Sequence, residues 1–335
     1  MSELVADLLA GEHRALARVI SMIEDRSPGY RDVVSELHRH SGTADVVGVT
    51  GSPGAGKSTL VDKVAATYRE RGETVGVIAI DPSSPFTGGA VLGDRIRMAS
   101  NAGDMDVFFR SMSTRGSLGG LSTATTDAVT ALDAFGKDKI IVETVGAGQN
   151  EIDVVRTADT VAVLVPPDSG DDVQMLKAGI LEIADLFVVN KADLDGADRT
   201  VGQLKEMIHH RTDASGPEGH GTDAKAWTPP IVETVASAGE GVDDFVGAVE
   251  DHLDYLDASG RREEKVRSRY AAEIRTLLRE DANALLADEL EARGGVDHAV
   301  DRILEHETDP YTVVAGMIEP LESCLADQRP ERGAE

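Results

Sequence analysis

The chain's reading turns on Val46-Val47-Gly48-Val49-Thr50 followed by Gly51-Ser52-Pro53-Gly54-Ala55-Gly56-Lys57-Ser58-Thr59. The short β-branched run predicts a strand, the glycine-rich stretch a turn that lets backbone N–H groups converge on an anion, and the pattern after it a helix. In that strand-loop-helix setting Gly51, Ser52, Pro53, Gly54, Ala55 and Gly56 cradle phosphates and Lys57 reaches the β- and γ-phosphates. Ser58 offers a hydroxyl to Mg²⁺, and Thr59 completes the motif. A nucleoside triphosphate site is expected at Gly51–Thr59.

Outward from the loop, apolar β-branched runs recur at Val75–Ile80, Val107–Phe109, Ile140–Val142, Val161–Val165, Leu186–Val189 and Ile231–Val235, separated by longer helical stretches. Continuous apolar runs predict strands covered on both faces, with the helices as crossovers between parallel neighbours. The fold expected over 43–256 is therefore α/β, a doubly wound and mostly parallel sheet. Upstream, Leu16, Val19, Ile20 and Ile23 fall at i, i+3, i+4 and i+7. Tyr30, Val33, Val34 and Leu37 repeat that spacing after the breaker Ser27-Pro28-Gly29, so two amphipathic helices form an N-terminal extension over 1–42. Thr212–Lys225 has almost no apolar residue and reads as a surface loop. Past 256 the strands stop, and Val266, Tyr270, Ile274, Leu277, Leu278, Leu285 and Leu286 form a helical stripe in a C-terminal helical region, 257–335.

The strand ends supply the remaining chemistry. Asn190-Lys191-Ala192-Asp193 follows the run Leu186–Val189, and a carboxylate there can accept from both N1–H and the 2-amino group of guanine. Adenine offers neither donor and would leave that carboxylate unpaired, so the base expected is guanine. Asp81 ends the second strand, and Glu143-Thr144-Val145-Gly146 ends the strand Ile140–Val142. A carboxylate at that edge holds Mg²⁺ directly or through water, and the Gly146 N–H can approach the γ-phosphate. Asp94 is a further candidate metal ligand, and Gln149 a candidate orienter of the attacking water.

Composition narrows the partners. With 33 Lys+Arg against 60 Asp+Glu the net charge is −27, which disfavours nucleic acid and anionic membrane. Only nine of the basic residues are Lys, and the acids are spread along the whole chain, a pattern suited to concentrated salt, where a Debye length of roughly 3 Å screens like charges. An ordinary acidic cytosolic protein is the alternative. Cys324 is the sole cysteine, so no intramolecular disulfide forms. The start MSELVADLLAGEHRALARV lacks a basic n-region, and no later stretch gives 18 uninterrupted apolar residues, so a cytoplasmic location is expected. The adjacent pair His209-His210 points to different helix faces and gathers no ligand cluster, and Trp227 is not interleaved with basic residues.

The chain resembles the methylmalonyl-CoA mutase-associated G-proteins, the MeaB/ArgK family within the SIMIBI division of P-loop GTPases. The resemblance rests on the phosphate loop together with Asp81-Pro82-Ser83-Ser84, Leu92-Gly93-Asp94-Arg95, Arg110-Ser111-Met112, Gly119-Gly120-Leu121-Ser122, Val142-Glu143-Thr144-Val145-Gly146, Gly170-Asp171-Asp172 and Lys177-Ala178-Gly179, and it runs from about Arg14 to Tyr311. It implies a GTP/GDP- and Mg²⁺-using GTPase that escorts an adenosylcobalamin-dependent methylmalonyl-CoA-type mutase, with a cobalamin adenosyltransferase as a further candidate partner. It also implies homodimerisation through the C-terminal helices, and switch segments at Asp81–Asp94 and Gly170–Lys177. Ser117 stands where the family usually has His. Val235-Ala236 replaces the usual Ser-Ala of the guanine-contacting loop but keeps the Ala236 N–H for the guanine O6. Two competing readings are a GTPase that delivers nickel, which predicts a His/Cys-rich ligand set absent here, and an ATP-using kinase of an amino-acid transport system, which Asp193 opposes.

Overall fold

A computed structural model of the chain describes residues 2–80, 99–101, 103–112, 118–144, 157–167, 183–214 and 227–328. Two compact units divide it, 1–270 and 271–335. The first unit opens with three helices: α1 (Glu3–Leu9), α2 (His13–Glu24) and α3 (Tyr30–Leu37). The sequence pattern shows only α2 and α3. α1 is held by the Ser2 side chain, which accepts from the Val5 N–H, and by the burial of Val5 and Leu8.

The sheet follows: β1 (Asp45–Gly51), α4 (Lys57–Glu70), β2 (Val75–Ile80), β3 (Val107–Met112), α5 (Leu118–Ala134), β4 (Lys139–Thr144), β5 (Thr160–Val165), β6 (Leu186–Asn190), α6 (Ala197–Ala214), β7 (Ile231–Thr234) and α7 (Val242–Ser259). Each of the seven expected strands is present. They pair in parallel in the order β3-β2-β4-β1-β5-β6-β7. Side chains alternate between two cores. Val46, Ile140, Val163 and Phe187 face α1–α3, α5 and α6, whereas Val47, Val49, Ile141 and Leu164 face α4 and α7. Every residue of β2, β4, β5 and β6 is buried, which accounts for their continuous apolar runs. β7 ends at Thr234, not Val235, and carries the exposed Glu233, as an edge strand can. α6 runs through Ala214, so residues 212–214 of the expected surface loop are helical, and the remainder of that loop lies outside the described residues.

Helix α8 (Arg261–Ala292) begins in the first unit, and its first turns grip the amino ends of three strands. Arg262 pairs with Asp45 at the start of β1, Arg269 with Asp159 before β5 at 3.3 Å, and Lys265 with Asp185 before β6 at 2.9 Å. Burial opposes ionisation of Asp45, but hydrogen bonds from Lys139 and Arg262 outweigh it and hold the carboxyl below its usual range. Asp185 also lies 3.3 Å from Nε2 of the buried His252 in α7, whose Nδ1 is 2.8 Å from the Thr160 hydroxyl.

The second unit contains the rest of α8, then α9 (Gly295–Leu304) and α10 (Pro310–Gln328). Pro320 cannot donate to the Gly316 carbonyl one turn back, and Arg293 Nη1 donates there instead at 3.0 Å. Large apolar side chains stay exposed on all three helices, among them Leu278 (70%), Leu304 (72%) and Tyr311 (87%). No helix of the described residues is long and apolar enough to cross a membrane.

Candidate functional site

In an open parallel sheet, ligands bind outside the carboxyl ends of the strands, where neighbouring crossovers diverge. β1, flanked by β4 and β5, delivers the glycine loop to that edge. Two glycines fix the loop's path. Gly51 closes β1 at φ 143°, and a Cβ there would lie 2.2 Å from the Leu164 carbonyl oxygen. Gly56, at φ 90°, precedes α4, and its Cβ would lie 2.3 Å from Asn190 Nδ2. A side chain at Gly51 would force the backbone to move, and one at Gly56 would strain a left-handed φ and displace the Asn190 side chain.

Lys57 opens α4 and is buried; its Nζ donates to the carbonyls of Gly51 (2.7 Å) and Ser52 (3.0 Å). The charge therefore lies over the loop, beside the N-terminus of α4, whose dipole favours an anion. Ser58 Oγ donates to Glu143 Oε1 at 2.5 Å, and Glu143 is buried near the end of β4. Thr144 Oγ1 donates to Thr50 Oγ1 at 2.9 Å and ties the carboxyl ends of β4 and β1 together beside it. Pro53, Gly54, Gly56, Lys57, Ser58, Thr59, Glu143 and Lys191 line one cleft of about 430 Å³. A hydroxyl and a carboxylate side by side are hard oxygen donors of the kind Mg²⁺ takes, so the residues present fit that ion.

Asn190 joins this cleft to the far side of the edge. Its Nδ2 donates to the Ala55 carbonyl (2.7 Å), while its Oδ1 accepts from Thr234 Oγ1 (3.0 Å) and from the Ala236 N–H (3.1 Å). The Ala236 N–H, expected at the guanine O6, is thus engaged by Asn190 here. Thr234 was not among the expected site residues; the signal for it is positional, since β6–β7 pairing sets Asn190 opposite Thr234. Val235 is half-buried, and its N–H donates to the Glu240 carbonyl, which closes the loop 235–241. That loop also depends on Gly241, at φ 73°, where a Cβ would lie 2.1 Å from the Glu233 carbonyl oxygen. Lys191 takes the left-handed φ of 62° and donates from Nζ to the Gly54 carbonyl at 2.8 Å. Asp193 follows in an exposed turn.

Asp81, Asp94, Gly146, Gln149 and Ser117 lie outside the described residues, as do the segments 81–94 and 170–177. His209 and His210 are on an exposed part of α6, with His210 Nε2 3.8 Å from Glu206. Trp227 is part of the brace around His252, donating from Nε1 to the Asp185 carbonyl at 2.7 Å.

The profile of the family described as methylmalonyl-CoA mutase-associated GTPase MeaB matches residues 16–291. A Pyrococcus abyssi protein that bears a GTPase name is 46% identical over 315 residues, covering 93% of this chain and 94% of its own. The mitochondrial methylmalonic aciduria type A homolog of Mus musculus is 31% identical over 302 residues, 84% of this chain and 70% of its own. Among solved structures, one named as an LAO/AO transport system kinase superposes with a TM-score of 0.66 at 26% identity, over 96% of this chain and 97% of its own.

Proposed function

The chain belongs to the methylmalonyl-CoA mutase-associated GTPase family MeaB and is a GTPase, and from that premise we propose that it escorts an adenosylcobalamin-dependent mutase of the methylmalonyl-CoA type, gating cofactor loading and protecting the loaded enzyme. The family match supports the partner. The observation that supports the nucleotide assignment is the Asn190 junction, which couples a phosphate loop to the N-K-x-D end of β6.

In this reading the γ- and β-phosphates of GTP take the Lys57 ammonium from the Gly51 and Ser52 carbonyls, and Lys57 stabilises charge that develops on the bridging oxygen. Ser58 and Glu143 hold Mg²⁺, with Asp81 and Asp94 as further ligands. The ion, when bound, neutralises phosphate charge. The Gly146 N–H meets the γ-phosphate, and Gln149 orients the attacking water. Asp193 accepts from the guanine N1–H and 2-amino groups, while Val235 and Ala236 border the base. The apolar side chains exposed on α8–α10 support a homodimer formed through the C-terminal helices. A cobalamin adenosyltransferase as second partner and a cytoplasmic location go with the same reading. The likeness to a solved transport-system kinase supports a second reading, that of an ATP-using kinase.

The test measures GTP and ATP turnover of wild type and Lys57→Ala, with and without the mutase that co-purifies from native extract at high salt. GTP-selective turnover that the mutase alters and Lys57→Ala abolishes is expected. Unchanged turnover with mutase refutes the escort role. Turnover of ATP in preference to GTP favours the kinase.

A further inference from the structure

Behind the phosphate cleft, the carboxyl ends of β1 and β4 share a pair of buried hydroxyls. The register between these strands runs from Asp45 opposite Lys139 to Val49 opposite Glu143. Thr50 and Thr144 come next, and both are 0% exposed. Side chains alternate along a strand, so these two point away from Glu143 and into the core that packs on α5, a face they share with Val46, Ile140 and Val142. Thr144 Oγ1 donates to Thr50 Oγ1 at 2.9 Å.

Valine has the shape of threonine without the oxygen and would suit that apolar face. A buried hydroxyl gives up its water, and the bond it makes in exchange adds little net stability, so replacing both partners by apolar groups of the same shape is close to neutral. Burial alone therefore does not call for two hydroxyls here. What their bond adds over a contact between two valines is direction. It fixes the spacing of β1 and β4 one residue past the last registered pair.

Two parts of the site depend on that spacing. Gly51, next after Thr50, opens the phosphate loop, which leads directly into α4 and Ser58. Glu143, next before Thr144, belongs to β4 and reaches across to accept from Ser58 Oγ. The loop has other supports: Asn190 and Lys191 hold the Ala55 and Gly54 carbonyls, and β5 lies so close that a Cβ at Gly51 would meet the Leu164 carbonyl oxygen at 2.2 Å. Those supports come from β5 and β6 and leave β4 free to shift against the loop. The Thr144–Thr50 bond joins β4 to the root of the loop, so Glu143 and Ser58 move as one body.

Mg²⁺ demands near-ideal octahedral geometry, so a carboxylate from one element and a hydroxyl from another serve it only if they keep their register. We propose that Thr50 and Thr144 are positioning residues, whose hydroxyl bond holds Glu143 against Ser58 for Mg²⁺. The proposal rests on the reading that Glu143 and Ser58 bind the ion. Removing a group that orients metal ligands from behind costs about 10–100-fold in metal affinity. Because the threonines act on Glu143 through the backbone and not on its carboxylate, the expected loss is at the lower end, about tenfold.

The test times the release of N-methylanthraniloyl-GDP from the full chain in EDTA and in saturating Mg²⁺. The ratio of the two rates measures how firmly the ion is held and needs no turnover. Thr50→Val/Thr144→Val should melt within about 2 °C of wild type, yet its ratio should fall about tenfold, and the Mg²⁺ needed for half-maximal GTP turnover should rise by the same factor. Thr144→Ser keeps the hydroxyl and should keep the wild-type ratio. It decides the matter if the double variant folds poorly, because a loss in Thr144→Ser equal to that in Thr144→Val places the effect in the methyl group and overturns the proposal. Glu143→Gln tests the underlying reading. If Glu143→Gln lowers the ratio and the double valine variant does not, positioning by the threonines is refuted while the Mg²⁺ site stands. If Glu143→Gln leaves the ratio unchanged, the Mg²⁺ reading falls and the proposal falls with it.

Discussion

Acidification should loosen this protein through one imidazole. His252 is 1% exposed, its side chain placed between the Thr160 hydroxyl and the Asp185 carboxylate and packed on Trp227 and Tyr255. Burial pushes its pKa from 6.5 down to about 4; Asp185 opposes that shift and Lys265 adds to it. The folded value therefore lies below the unfolded one, so between those pH values the unfolded chain takes up a proton that the folded chain refuses. The contribution is complete above pH 6.5 and is lost as pH falls toward 4. At about 1.4 kcal/mol per unit, wild type should lose roughly 2 kcal/mol from this group by pH 5. Urea denaturation at pH 7.5, 6 and 5 in molar KCl, run on wild type and His252→Gln, measures it. The variant starts less stable and should show a shallower decline, by about that amount. Parallel pH dependences in the two proteins would refute the argument.

Gly56→Ala places a Cβ on Asn190 Nδ2 in a left-handed backbone, at a cost of about 1–2 kcal/mol for conformation and about 1 kcal/mol for the Asn190–Ala55 bond. Fluorescent GTP-analogue titration should show at least tenfold weaker binding, and unchanged affinity would contradict the junction's role. Asp193→Asn should weaken GTP binding and favour xanthosine triphosphate, whose 2-oxo group accepts from the amide; a competition assay that still prefers GTP removes Asp193 from base reading. With a net charge of −27, the melting temperature should rise from 0.1 to 3 M KCl, and a flat or falling curve would show that self-repulsion does not limit stability.

The sheet was legible because burial on both faces leaves the apolar runs Val75–Ile80, Ile140–Val142, Val161–Val165 and Leu186–Val189 within β2, β4, β5 and β6. Glycines and a lysine at fixed offsets after β1 revealed the phosphate loop for a local reason as well. α1 was not legible: seven residues are too few for a helical period to emerge. The final turn of α6 escaped because Thr212-Asp213-Ala214 carries no apolar spacing that announces a helix. Thr234 depends on which strands pair, and Asp45, Asp159 and Asp185 are three acids among 60 until α8 is seen holding them. Such roles come from tertiary register, which a local pattern does not encode.

The α8 clamp also sets an order of events during synthesis. The segments proposed to hold GTP are complete once residue 241 has left the ribosome, yet the opposite end of the sheet still bears Asp45, Asp159 and Asp185 without Arg262, Lys265 and Arg269. Lys139 still holds Asp45 at 2.8 Å, but Asp159 and Asp185 lack Arg269 and Lys265, partly exposed pairs worth about 1 kcal/mol or less each. The nascent GTPase core should accordingly be slightly less stable until residue 269 has emerged. By then the helix that leads into the second unit has already emerged in part.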